Sequence, residues 1–144
     1  MIKTVSVATT LAACIAVAPL HAGPRRASIV IVPSPYDSFL VQTGNVKVTF
    51  RDGHSELWTH SGDCYDVKVS PSGNVGWIRM DKKSVDTQRL LVAGKDILVI
   101  RPADGTSTEF APYAENVSIM DWRFADGGSA VVLRSMGTTV LRRT

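Results

Sequence analysis

Cysteine is scarce in this chain of 144 residues: there are two, Cys14 and Cys64. A disulfide-stapled scaffold of the kind small exported domains use needs more than that. No stretch after residue 22 is apolar for long enough to make a membrane-spanning helix. None shows the 3.6-residue periodicity of an amphipathic helix over a useful length. A glycine-rich phosphate loop leading from strand to helix and a serine nucleophile elbow are missing, and no paired carboxylates stand out. An Asp-x-Asp-x-Asp-Gly calcium loop is missing too. With so few catalytic signatures, an enzyme is the minority expectation, and no cofactor or metal is expected.

What is present begins with a leader. Lys3 precedes an apolar stretch from Val5 to Leu20, and small residues follow at Ala22 and Gly23. That order of basic, apolar and small residues is the form of a secretory signal peptide, with cleavage expected after Ala22. A second reading stands beside it, because Leu11-Ala12-Ala13-Cys14 has the form of a lipobox that would make Cys14 a lipidated first residue. The short stretch before Cys14 and the apolar residues beyond it favour the first reading. Removing residues 1–22 from 144 leaves 122 residues (23–144), enough for one domain with a core of its own. Loss of Lys3 lowers Lys+Arg from 16 to 15 against 13 acidic residues, a net charge of +2. That balance, with the basic residues scattered, does not suit nucleic acid. Cys64 is then alone in an oxidising compartment, with no partner for an intramolecular bridge, and is expected to be a buried thiol. The expected location is periplasmic or secreted.

From Ser28 onward, short alternating runs are separated by turn residues. Ser28–Val32 and Phe39–Gln42 read as strands. Val46-Lys-Val-Thr-Phe50 alternates with period two, placing Val46, Val48 and Phe50 on one face. Asp52-Gly53 turns it into Ser55–Thr59, a strong short-range hairpin signal. Asp66–Ser70 and Val75–Met80 flank Pro71-Ser-Gly73. Asp81–Asp86 reads as a charged loop, and Gln88–Val92 and Asp96–Arg101 as a hairpin turning at Gly94-Lys95. Ser107–Phe110, a loop at Ala111–Asn116, strands at Ser118–Phe124 and Ser129–Arg134, and a last strand at Thr138–Leu141 complete an all-β pattern of antiparallel hairpins.

Two segments repeat one another 55 residues apart, Asp66–Ile78 and Asp121–Leu133, each an alternating run, a glycine turn and a second apolar run. Ser70-Pro71-Ser72-Gly73, then Ile97-Leu-Val-Ile100 with Asp104-Gly105, then Phe124-Ala125-Asp126-Gly127 resemble the repeat of TolB-type β-propellers. Asp52-Gly53 fits the end of a preceding unit. The resemblance implies blade-like antiparallel sheets that stack because none buries both faces alone. It also implies a largely non-catalytic platform for protein contacts. The chain has material for about three blades, fewer than a ring. A compact propeller-like or curved sandwich domain, or completion by a partner, is therefore expected.

The densest polar cluster is His54, His60, Asp63, Cys64 and Asp66, the residue types of a zinc site or a Cys–His pair but at no established spacing. Asp66 and Asp121 hold equivalent repeat positions and read as loop-ordering carboxylates. Trp58, Trp77 and Trp122 read first as core. Arg79, Arg101, Arg123 and Arg134 read as solvent-facing strand positions, equally suited to anionic contacts. Serine- and asparagine-bearing loops with aromatic neighbours on a rigid β scaffold suit protein recognition. The candidate contact residues are Ser61, Asp63, Tyr65, Ser72, Asn74, Tyr113 and Trp122. The expected function is a non-enzymatic protein-binding module. Its sharper form is an inhibitor or immunity protein against a cell-wall hydrolase, and self-association is the structural alternative.

Overall fold

The computed structural model describes residues 23–33, 42–86, 91–112, 118–135 and 138–144. The fold is all-β, and the described residues form ten antiparallel strands. These are β1 (Pro24–Ile31), β2 (Gly44–Phe50), β3 (Ser55–Leu57), β4 (Cys64–Val69), β5 (Val75–Asp86), β6 (Leu91–Arg101), β7 (Thr108–Phe110), β8 (Ile119–Ala125), β9 (Ala130–Ser135) and β10 (Thr138–Arg143). A 3-10 turn, Asp126–Gly128, joins β8 to β9. The leader, Cys14, Tyr36, Phe39–Val41 and Tyr113 lie outside the described residues.

The strands divide into two sheets rather than three separate blades. One runs β1-β2-β4-β5-β6-β7 with β3 attached to β2, and the other runs β10-β9-β8. The first expected unit stays joined to the second through one bridge, Gly44 to Cys64. At that corner a Cβ on Gly44 would meet the Val30 carbonyl oxygen at 2.0 Å, so only glycine allows the backbones to approach so closely.

Two sequence expectations are corrected here. Asp81–Asp86 is not a loop but the far half of β5, and Gly94-Lys95 is not a turn. Both residues lie inside β6, opposite Lys82 and Asp81. Pairing to a long neighbouring strand overrides the local turn chemistry, and the conflict is absorbed by a bulge between Lys82 and Ser84, beside Gly94.

The centre of the molecule is the β5–β6 pair, because both of its faces are covered. Val75, Trp77, Ile97 and Val99 point to one side and pack with Val46, Val48 and Cys64. Ile78, Leu98 and Ile100 point to the other and pack with Ile119, Trp122, Val131 and Leu133 of the three-stranded sheet. The period of two in a strand therefore builds two cores from one pair of strands.

Candidate docking rim

In an antiparallel meander the connections alternate between the two ends. The β2–β3, β4–β5, β6–β7 and β8–β9 links are each polar and glycine-bearing, and this alternation places all four at one end. Contacts between them establish this. Pro24 pairs with Phe50, at the mouth of the β2–β3 turn. A Cβ on Gly73 would lie 3.6 Å from Pro24 Cδ, which brings the β4–β5 turn alongside. Val75 pairs with Arg101, fixing the start of the β6–β7 turn next to it. Asn74 Nδ2 donates to the Gly128 carbonyl at 3.0 Å, tying in the β8–β9 turn.

The β4–β5 turn is internally braced. Ser70 N donates to Asn74 O at 2.8 Å and Gly73 N to Ser70 O at 2.9 Å. The Ser70 hydroxyl accepts from Asn74 N at 3.0 Å and shares a bond with Ser72 Oγ at 2.9 Å. Gly128 fits against it with φ +110, and a Cβ there would stand 2.5 Å from Ser72 Oγ. Thr144 Oγ1 donates to the same Gly128 carbonyl at 3.0 Å, which ties the residue after β10 to the rim.

At one side of this rim stands a cluster that alternates along the β2–β3 hairpin: Asp52, His54, Glu56 and Trp58. His54 is half exposed, and its ring stacks on Phe50 with centroids 4.3 Å apart and planes 4° from parallel. Asp52 Oδ1 lies 2.5 Å from His54 Nδ1 and accepts from His54 N at 3.1 Å. Glu56 Oε1 lies 3.3 Å from His54 Nε2, and Glu56 Oε2 accepts the Trp58 indole N–H at 3.0 Å. The Arg101 guanidinium sits 4.2 Å above the Trp58 ring. The electrostatics follow. The backbone N–H of His54, then its imidazole, holds Asp52 below the ordinary carboxylate range. The Trp58 indole, then His54, does the same for Glu56. The Asp52 carboxylate, with help from Glu56, raises the imidazole above its usual value. Both ring nitrogens are thus occupied by carboxylates, an arrangement that orients the ring and leaves neither nitrogen placed as a base toward a nucleophile.

The residues singled out in the sequence are distributed over three places. Ser72 and Asn74 lie on the rim; Ser72 is exposed, while the Asn74 amide is spent on Gly128. Ser61 and Asp63 lie beyond the opposite end of β4, whose six residues put them about 20 Å away. There the Ser61 hydroxyl donates to the Asp63 carboxylate, and Gly62 N donates to Asn45 Oδ1 at 2.8 Å. Met80 N donates to Asp63 O at 3.0 Å. Tyr65 packs into the second core, where burial and a bond to Asp96 push its phenol up. Trp122 is 1% exposed and belongs to that core rather than to a binding surface. Tyr113 falls outside the described residues.

His54, His60, Asp63, Cys64 and Asp66, close in sequence, form no metal-ligand group among the described residues, although Cys64 Sγ lies 3.5 Å from Asp63 Oδ1. Cys64 is fully buried at the corner beside Thr59, and burial pushes its thiol up. His54 is at the far end of β2, and Asp66 turns into a bulge to meet Lys68 at 3.1 Å. Among the described residues no three of His, Cys, Asp and Glu are grouped to hold a metal, and no helix is long and apolar enough to cross a membrane.

The sequence reading overlooked Asp52, Glu56 and Arg101 as companions of His54 and Trp58. The available signal was the unbroken every-second-residue spacing of Asp52, His54, Glu56 and Trp58. The fold and rim therefore define an all-β antiparallel domain with a braced polar edge. Comparison of the chain with protein-family models, curated proteins and solved structures finds no match.

Proposed function

We propose that this chain is an exported, non-catalytic protein-binding module whose contact surface is the rim of four turns, centred on His54, Trp58 and Arg101 with Ser72 at its flank. The observation that carries the reading is the braced cluster itself. Partly exposed aromatic rings, an arginine and an imidazole are held in fixed positions by mutual bonds before any partner arrives. Tryptophan and arginine dominate protein interfaces, and preorganisation lowers the entropy lost on association. The leader-like residues 1–22 support export, so the partner belongs to the cell envelope, with a cell-wall hydrolase as the sharper candidate.

The test is capture from the host's envelope extract by the tagged domain, residues 23–144, alongside a His54→Ala/Arg101→Ala double variant of the same stability. The expected result is one stoichiometric partner held by the wild type and bound at least about 30-fold more weakly by the variant. Equal retention by both proteins removes the rim as the contact surface. An empty capture removes the binding-module reading.

A further inference from the structure

We infer a second site, an oxyanion receptor for a single phosphate or sulfate group, on the outer face of the β1–β2 ladder. It is independent of the rim. Arg26 pairs with Thr49, and Ser28 pairs with Lys47. Directly paired residues share a face, and Val46 and Val48 occupy the inward one, so Arg26, Ser28, Lys47 and Thr49 all point outward. Arg26 and Lys47 are then diagonal neighbours on two adjacent strands, within reach of one another through their long side chains. An open hollow of about 230 Å³ lies among Arg26, Ala27, Ser28, Lys47 and Thr49. Its shape has a local cause: the ladder register slips between Pro24 and Arg26, and such a bulge bends the strand and re-aims the side chain that follows.

Several cations elsewhere are engaged: Lys68 meets Asp66 at 3.1 Å, Arg79 meets Glu109 at 2.7 Å, and Arg101 covers Trp58 at 4.2 Å. Among the described residues, no carboxylate forms an ion pair with Arg26 or Lys47. Glu56, on the strand paired to β2, stands opposite Val48 and therefore on the other face, where it bonds His54 and Trp58. Two like charges side by side without a counter-charge disfavour the empty state, and an anion between them removes that cost. The hydroxyls complete the donor set. Thr49 Oγ1 and Ser55 Oγ are 2.9 Å apart, so when Ser55 supplies the proton of that bond the Thr49 O–H is free to donate outward. Arginine, lysine and two hydroxyls offer only donors to an acceptor-rich tetrahedral anion. No helix N-terminus or glycine-rich loop is involved. The site is a sheet-surface receptor, consistent with weak, exchangeable binding.

The experiment is a titration of the folded protein with inorganic phosphate and, separately, inorganic sulfate, at constant ionic strength set with chloride. It is read from backbone amide resonances and repeated on Arg26→Ser and Lys47→Thr. The expected result is saturable shifts confined to Arg26, Ser28, Lys47 and Thr49, with each variant weakening the affinity at least tenfold and leaving the remaining spectrum unchanged. The ratio of the two affinities says which oxyanion is preferred. Shifts that fail to saturate overturn the proposal. So do shifts that persist in both variants, or that occur equally around Arg123 and Arg134 on the other sheet. The spectrum of each variant reports its fold directly, so loss of structure cannot be mistaken for loss of the site.

Discussion

The β4–β5 and β8–β9 hairpins share one sequence grammar but occupy different positions. The first is covered on both faces: Val75 and Trp77 enter one core, Gly76 and Ile78 the other. The second is covered on one: Trp122, Val131 and Leu133 point inward while Met120 is 61% exposed. Equivalent segments nonetheless meet across the gap. The Trp122 indole donates to the Asp66 carbonyl at 3.1 Å, and Lys68 Nζ donates to the Trp122 carbonyl at 2.7 Å while lying 4.6 Å from the ring centroid. The Asp66 carbonyl is available because Asp66 takes φ +48 inside the bulge of β4. A repeat in sequence has thus become a joint between sheets, and the difference between the copies lies in how many faces are buried.

The sharpest way to break that joint is Trp122→Ala, which empties the largest side chain of the second core, leaves the Asp66 carbonyl without the indole donor and removes the ring beneath Lys68. A loss of about 3–5 kcal/mol in unfolding free energy is expected from urea titration. Trp58 and Trp77 remain as fluorescent reporters of the first core. If both cores form one cooperative unit, their fluorescence and the far-ultraviolet circular dichroism lose structure at the same urea concentration. Two separated transitions would mean that the second hairpin is an independent cover.

A smaller effect is expected where the two turns touch. Gly128 holds φ +110, and an added Cβ would lie 2.5 Å from Ser72 Oγ and 2.7 Å from Ser70 Oγ. Gly128→Ala therefore combines a disfavoured backbone with a clash against a braced turn, for an expected cost of about 1–3 kcal/mol. Gly127, at φ +68 with nothing near its Cβ position, lies in the region asparagine tolerates. Gly127→Asn should leave the urea midpoint nearly unchanged. Equal losses at the two positions would show that strain alone, not contact between the hairpins, sets the cost.

Much of this was readable from residues. The Val46-Lys-Val-Thr-Phe50 alternation yields the two faces of β2, and with them the outward Lys47 and Thr49. The Asp52-Gly53 and Pro71-Ser-Gly73 turns are where the turn chemistry puts them. The length of β5 and β6 was not readable, because a charged run and a Gly-Lys pair mimic a loop when their cross-strand partners are unknown. The division of the contact candidates was hidden for a different reason. Which loops share an end depends on the parity of the strand count, so Ser61 and Ser72, close in sequence, separate to opposite ends of β4. Trp122 follows the same logic: its position in the repeat gives a strand, and only the neighbouring sheet decides that its side of the strand is inside.

The smallest effect expected is at Met120. It is adjacent in the chain to Asp121 and Trp122, but the register of β8 slips between Ile119 and Asp121, and this bulge leaves Met120 unpaired and turned to solvent. An apolar side chain that is exposed in both the folded and the unfolded chain contributes little to their difference. Met120→Ser should therefore change the unfolding free energy by no more than about 0.5 kcal/mol, against a loss several times larger two residues away. A substantial loss from Met120→Ser in a dilute monomer would mean that the outer face of β8 is covered within the folded chain. A loss that grows with protein concentration would mean that a second copy covers it. In either case the second hairpin would be buried on both faces like the first, and the contrast between the two would vanish.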